Sequence, residues 1–152
     1  MSDSRQHNVA SHECVSVLAP ARLHLGFIDL NGSAGRSFGS LGLGVDDPGV
    51  EVTAAVHDDI EAEGPAAARA VDYARRLLEH HHLDHGVRLS VHRTIPEHAG
   101  LGSGTQLALA VGTAVARLYN LPAGPAQVAA ILDRGSRSGI GIGTFTPGRI
   151  YR

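Results

Sequence analysis

The sequence IPEHAGLGSGTQ occupies residues 95–106 and contains three glycines at alternate positions. It follows residues 87–92, where apolar and polar side chains alternate as in a half-buried strand. It leads into residues 105–119, where apolar side chains recur at helical spacing. The glycines allow backbone N–H groups to turn inward, and a helix amino terminus adds partial positive charge. The stretch therefore predicts a phosphate-binding loop between a strand and a helix.

Six consecutive residues of this loop are the predicted phosphate contacts: Gly100, Leu101, Gly102, Ser103, Gly104 and Thr105. The hydroxyls of Ser103 and Thr105 suit either the anion or a magnesium ion attached to it. A glycine turn with a Ser or Thr cap also begins many purely structural helices, so that reading stays open. The loop lacks the Gly-Lys-Ser or Gly-Lys-Thr of a P-loop, and the glycines of 139–143 lack dinucleotide-binding spacing.

The remaining pattern predicts a mixed α+β domain over residues 14–152, preceded by a disordered tail over 1–13. Alternation predicts strands at 15–19, 22–29 and 50–56, while five glycines in fourteen residues predict a loop at 31–44. Helical spacing begins at Pro65 and continues to 79. A third helix is predicted over 125–134, closed by Gly135 in the left-handed conformation.

Composition excludes several functional classes. The 152 residues carry a formal charge of -2, no Trp, and only three Phe and three Tyr, which argues against nucleic-acid binding. No apolar run approaches a membrane span, and the single Cys14 forms no internal disulfide, so a cytoplasmic enzyme is expected. The histidines at 80–82 and 85 are interpreted as a solvated helix end rather than a metal site. The sequence does not decide whether the chain forms a homodimer.

Two stretches resemble motifs of the GHMP small-molecule kinases, in matching order and separation. Residues 96–106 resemble their Pro-x-x-x-Gly-Leu-Gly-Ser phosphate loop, and residues 19–26, APARLHLG, resemble their amino-terminal motif. The chain departs from the kinases in having Ser-Gly-Thr at 103–105 instead of Ser-Ser-Ala, and Arg22 instead of Lys. It also has Phe27 and Ile28 where kinases have Glu-His.

Three strings instead resemble the β-ribofuranosylaminobenzene 5'-phosphate synthase branch of that superfamily: RLHLGFIDLNG at 22–32, GLGSGTQLALA at 100–110 and RSGIGIG at 137–143. The resemblance spans residues 15 to about 146. It implies a fold like ribosomal protein S5 domain 2. It also implies that phosphoribosyl pyrophosphate is joined to 4-aminobenzoate or 4-hydroxybenzoate, with loss of CO2 and pyrophosphate, in methanopterin-type cofactor synthesis.

The resemblance also implies roles for individual residues and a requirement for Mg²⁺. Asp29 is expected to face magnesium or the ribose, and Arg36 a phosphate or the substrate carboxylate. Loop ion pairs are the alternative for both. The expected substrate-binding residues are Arg22, His24, Arg137 and Ser138, with an exposed basic loop as the alternative for the last two and a surface position for His24.

Two other functions remain open, an ATP-dependent GHMP-type kinase and a non-enzymatic fragment that retains a phosphate pocket. Members of the superfamily are usually about twice as long, so this chain is expected to be an amino-terminal half without the carboxy-terminal domain. Residues 146–152, TPGRIYR, depart from the continuation expected for the family.

Overall fold

The computed structural model describes residues 14–29, 31–33, 35, 39–135, 139–145 and 149–151. The predictions for Arg36, Arg137, Ser138 and the tail at 1–13 lie outside these described residues, as does the side chain of Asp29. In the described part of the chain, no helix has the length and apolar character that a membrane crossing requires.

In the described residues, five strands form one mixed sheet in the order β3-β4-β2-β1-β5. They are β1 (Cys14–Asp29), β2 (Gly39–His57), β3 (Ile60–Glu63), β4 (Gly86–Arg93) and β5 (Arg149–Tyr151). The β1 and β2 strands pair antiparallel from Cys14 opposite Ala55 to Asp29 opposite Gly39. Their far end forms a two-stranded ribbon, since β4 pairs with β2 only from Glu51 onward.

The described part of the chain also contains four helices: α1 (Ala67–His80), α2 (Ser103–Leu118), α3 (Pro125–Ile131) and α4 (Ile140–Phe145). Alternate residues of the strands are buried, for example Val15, Val17 and Ala19 in β1, so the helices cover one face. The central helix, α2, is buried along almost its whole length and contacts β1, β2, α1 and α3. A helix that is apolar on nearly all sides lies in a core. Its amino terminus is therefore held rigidly against the sheet.

The predicted α+β class is confirmed, as are the strand at 87–92 and the two long helices, with boundaries shifted by about two residues. The loop predicted at 31–44 is wrong over residues 39–44, which belong to β2 and pair with β1. Long-range pairing overrides the local glycine content there. The strands predicted at 15–19 and 22–29 form one continuous β1. The short β3, α4 and β5 were not predicted.

The predicted closure of the third helix by Gly135 is also wrong. That helix ends at Ile131, and Asp133 takes the left-handed conformation with φ 54°. The Arg134 N–H then donates to the Ala129 carbonyl at 2.7 Å, which completes the hydrogen-bond pattern of a Schellman motif. Gly135 does have a positive φ of 84°, but it lies beyond this turn.

Candidate functional site

The predicted phosphate loop connects β4 to α2 and has the backbone that its glycines allow. Gly100 and Gly102 have φ angles of 72° and 76°, and Gly102 is the N-cap of α2. The first helical hydrogen bond joins the Gln106 N–H to the Gly102 carbonyl at 3.0 Å. In the described residues, no side chain caps α2, and no backbone bond outside the regular elements uses the amides of 103–105. These three N–H groups can therefore donate to an anion.

Arg22 of β1 lies directly over the start of α2. Its backbone N–H donates to the Leu101 carbonyl at 2.9 Å. Its side chain covers Gly102, where an added Cβ would lie 2.7 Å from Arg22 Cγ and 2.8 Å from Nε. Gly102 is thus required both for its positive φ and for the space that Arg22 occupies. A guanidinium carries its charge at every physiological pH, so Arg22 adds to the positive potential of the helix terminus.

The short helix α4 closes the other side of this cluster. A Cβ on Gly141 would lie 2.8 Å from Thr105 Cγ2 and 3.6 Å from Arg22 Nε. A Cβ on Gly42 of β2 would overlap the side chain of Ile140. Glycines at these two positions let α4 approach both α2 and the β1–β2 ribbon. Of the glycines in 139–143, Gly141 is therefore the one that a close helix contact requires.

Sequence reasoning missed Gln106. This residue is fully buried, and its Nε2 donates to the Gly141 carbonyl at 2.9 Å. Thr144 Oγ1 lies 3.4 Å from the same nitrogen. The available signal was a lone amide side chain among the apolar residues that begin α2, since such a group needs a buried partner.

Buried polar atoms without a hydrogen-bond partner concentrate here. Six such side-chain atoms occur in the described residues, and Arg22 Nε, His24 Nε2 and Gln106 Oε1 are three of them. Most buried polar groups in proteins are paired, so a group of unpaired ones indicates a place that a ligand or a rearrangement completes. His24 is half-buried in β1, and its ring lies 4.7 Å from that of Phe27 at an interplanar angle of 59°.

The structure brings the predicted loop residues 100–105 together with Arg22. It places His24 two residues further along β1, opposite Gly42. Asp29 ends β1 opposite Gly39. The positions of Arg36, Arg137 and Ser138 are not among those described.

The histidines at 80–82 follow one another through the end of α1 and the turn after it, with the ring centroids of His80 and His81 5.1 Å apart, and His85 lies beyond them. His80 ends α1, His82 has a φ of 54° in the turn that follows, and His85 stacks on Tyr119 with ring centroids 5.2 Å apart. Within the described ranges, no group of three His, Cys, Asp or Glu side chains could hold a metal ion.

Three curated relatives are all named β-ribofuranosylphenol 5'-phosphate synthase. The relative from Methanocaldococcus jannaschii is 34% identical over 87% of this chain. The relative from Archaeoglobus fulgidus is 38% identical over 85% of this chain, and the relative from Methanothermobacter thermautotrophicus is 37% identical over 85%. The aligned region covers 44%, 41% and 42% of the respective relatives. The chain thus spans about two fifths of the length of the curated relatives that it matches.

Solved structures with a similar fold include a homoserine kinase from Cytophaga hutchinsonii and a 4-(cytidine 5'-diphospho)-2C-methyl-D-erythritol kinase. Both are 22% identical over 90% of this chain, with TM-scores of 0.61 and 0.63, and the match covers 44% and 51% of those chains. The family model for the GHMP kinases N terminal domain matches residues 67–145, which is more than half of this chain and includes the loop, α2 and α4. The chain belongs to the family of GHMP kinase N-terminal domains.

Proposed function

We propose that this chain supplies the pyrophosphate-binding part of a synthase that joins phosphoribosyl pyrophosphate to 4-hydroxybenzoate. The products are β-ribofuranosylphenol 5'-phosphate, CO2 and pyrophosphate, and the reaction belongs to methanopterin-type cofactor synthesis in the cytoplasm. One observation carries the proposal: the amides of 103–105 begin α2 without a cap, and the Arg22 side chain lies against Gly102, directly before them. The names of relatives at 34–38% identity support the reaction.

The chemistry calls for such an anion site. The bond from the anomeric carbon to the pyrophosphate oxygen breaks, a ring carbon of the benzoate forms the new bond, and the carboxyl group leaves as CO2. Negative charge grows on the departing pyrophosphate as positive charge grows on the ribose. Fixed N–H donors at 103–105 and the Arg22 guanidinium would stabilise that departing anion without reorganising.

The residues of this site are compatible with a magnesium ion that is bound mainly through the substrate. The hydroxyls of Ser103 and Thr105 lie at the start of α2, and the described residues contain no group of three His, Cys, Asp or Glu side chains that could hold a metal ion. Such a donor set suits Mg²⁺ held mainly by substrate oxygens and water. When bound, the ion would neutralise part of the charge on the leaving pyrophosphate.

The other assigned residues complete the proposal. Asp29 is proposed to face the ribose or the magnesium ion, and Arg36 a phosphate or the benzoate carboxylate. His24 would form a wall of the substrate site. Arg137 and Ser138, which precede α4 in the sequence, would close over a phosphate.

An ATP-dependent kinase of small alcohols is the second candidate, because kinases share this fold. Those kinases are 22% identical to the chain, a level that supports the fold alone, whereas the synthases exceed 30%. Arg22 replaces the Lys that the kinase motif carries, and an arginine does not lose its proton to act as a base. A fragment that binds phosphate without catalysis is the third candidate.

A product assay separates these candidates. The chain is incubated with phosphoribosyl pyrophosphate, Mg²⁺ and carboxyl-labelled 4-hydroxybenzoate, and both pyrophosphate and labelled CO2 are measured. Release that requires both substrates is expected, and 4-aminobenzoate in a parallel reaction tests the acceptor. ADP formation from ATP would favour the kinase. Pyrophosphate binding without either reaction would favour the third candidate, a fragment that binds phosphate without catalysis. Absence of pyrophosphate binding would overturn the proposed site.

A further inference from the structure

The buried amide of Gln106 has a defined orientation. The Gly141 carbonyl accepts hydrogen bonds only, so the Gln106 atom that lies 2.9 Å from it must be the nitrogen. Thr144 Oγ1 donates to the carbonyls of Ile140 and Gly141 at 2.9 and 3.2 Å, so it offers Gln106 no further proton. The amide oxygen of Gln106 therefore receives no proton from Gly141 or Thr144 and needs a donor from elsewhere.

A matching donor lies near the same glycine, Gly141. Arg22 Nε is buried and unpaired, and it would lie 3.6 Å from a Cβ on Gly141. Gln106 Oε1 is also buried and unpaired, and its amide is bonded to the same glycine. Among the unpaired buried atoms of the described residues, Arg22 Nε is the donor that lies against Gly141. The two unpaired atoms have complementary chemistry and lie near the same residue.

We propose that Gln106 is a positioning residue for Arg22: its nitrogen holds α4 at Gly141, and its oxygen accepts the Arg22 Nε–H when an anion binds. This inference rests on the proposed pyrophosphate site. With Nε engaged, the guanidinium plane is fixed, and its terminal nitrogens are directed at the anion beside the amides of 103–105. A guanidinium that is already held in one orientation loses less conformational entropy on binding than a freely rotating one.

The test is pyrophosphate binding measured by calorimetry in a double-mutant cycle on the 152-residue chain. Gln106→Leu removes both hydrogen bonds while keeping a buried side chain, and it is expected to weaken binding about tenfold. Arg22→Lys removes the Nε–H but keeps a positive charge. In the Arg22→Lys background, Gln106→Leu is expected to change the affinity by less than about twofold, because the group that it positions is absent.

Thr113→Val is the matched control. Thr113 is the other buried polar residue of α2, its hydroxyl is also unpaired, and it lies about two turns further along the helix than Gln106. Its replacement is expected to leave pyrophosphate affinity unchanged. Hydrogen exchange provides a second readout, and the amides of α4 (Ile140–Phe145) should exchange faster in Gln106→Leu than in Thr113→Val.

The outcomes are distinguishable. If the unmodified chain binds no pyrophosphate, the proposed site itself fails, and the role of Gln106 fails with it. If the chain binds pyrophosphate but Gln106→Leu binds equally well, only the positioning role fails. If Gln106→Leu weakens binding by the same factor in both backgrounds, Gln106 acts through general stability, and the coupling to Arg22 is overturned.

Discussion

The two ends of α2 differ in how their polar groups are satisfied. At the carboxyl end, Asn120 takes a left-handed φ of 51°, and the Leu121 N–H donates to the Ala116 carbonyl at 2.7 Å in a Schellman motif. The Tyr119 hydroxyl donates to the Gly86 carbonyl, and the Tyr119 ring stacks on His85. At the amino end, the N-cap is a glycine without a side-chain bond, and nearby Arg22 Nε is unpaired.

This difference indicates that the carboxyl end of α2 contributes to stability, whereas the amino end is available for ligand binding. Groups at the carboxyl end are paired with the protein itself, so that end contributes to folding. Unpaired donors at the amino end cost stability in the absence of a ligand, and proteins retain such groups mainly where something binds. Changes at the amino end should therefore alter anion binding, and changes at the carboxyl end should alter unfolding.

The largest effect is expected for Gly102→Ala. The new Cβ would meet Arg22 Cγ at 2.7 Å, and a φ of 76° costs an alanine about 1–2 kcal/mol. Pyrophosphate affinity should fall by about 100-fold, measured by calorimetry, because relief of the overlap displaces Arg22 or the loop. Gly124→Ala is the matched control, since Gly124 is the N-cap of α3 with an ordinary φ of -77°. Unchanged affinity in Gly102→Ala would contradict the role given to the amino end.

Tyr119→Phe should give the second-largest effect, now on stability. The change removes the hydroxyl that donates to the buried Gly86 carbonyl and leaves that carbonyl without this partner. The free energy of unfolding should fall by about 1–2 kcal/mol in urea titrations. Pyrophosphate affinity should not change. If Tyr119→Phe weakened binding as much as it weakened folding, the two ends of α2 would not be independent.

The dependence of stability on alkaline pH tests the same Tyr119 hydroxyl. Burial raises the pKa of Tyr119 above its ordinary value of 10.0. The unfolded chain then ionises first, so this contribution to stability is complete below pH 10 and is lost as the pH rises further. Unfolding followed from pH 9 to 11 should show a smaller loss in Tyr119→Phe than in the unmodified chain. Parallel slopes in both proteins would argue against this assignment.

The smallest effect is expected at the end of α1, from His81. Burial, followed by repulsion from His80 and His82, lowers the pKa of His81 below 6.5. A lowered pKa in the folded state means that this contribution is complete above pH 6.5 and is lost as the pH falls below it. His81→Gln should therefore reduce the acid sensitivity of the unfolding temperature between pH 7 and 5. An unchanged pH profile would contradict the lowered pKa of His81.

Local patterns were sufficient to predict the helices α1, α2 and α3 and the glycine loop before α2. The spacing of Leu107, Val111 and Val115 identifies α2, and the glycines at 100 and 102 take the positive φ that the loop requires. The ends of the helices were harder to predict, because Asn120, His82 and Asp133 occupy left-handed positions that glycine usually takes. Residues 39–44 became part of β2 through pairing with β1, and no neighbouring residue indicates that pairing.

The amino-acid sequence by itself determined where an anion loop could form, because glycine conformation and helical periodicity act over a few neighbouring residues. Only the tertiary structure decided which side chains meet there. Arg22 reaches Gly102 because β1 packs beside the start of α2, and Gln106 meets Gly141 because two glycines let α4 approach. These contacts join residues far apart in the chain, so they follow from packing rather than from local preference.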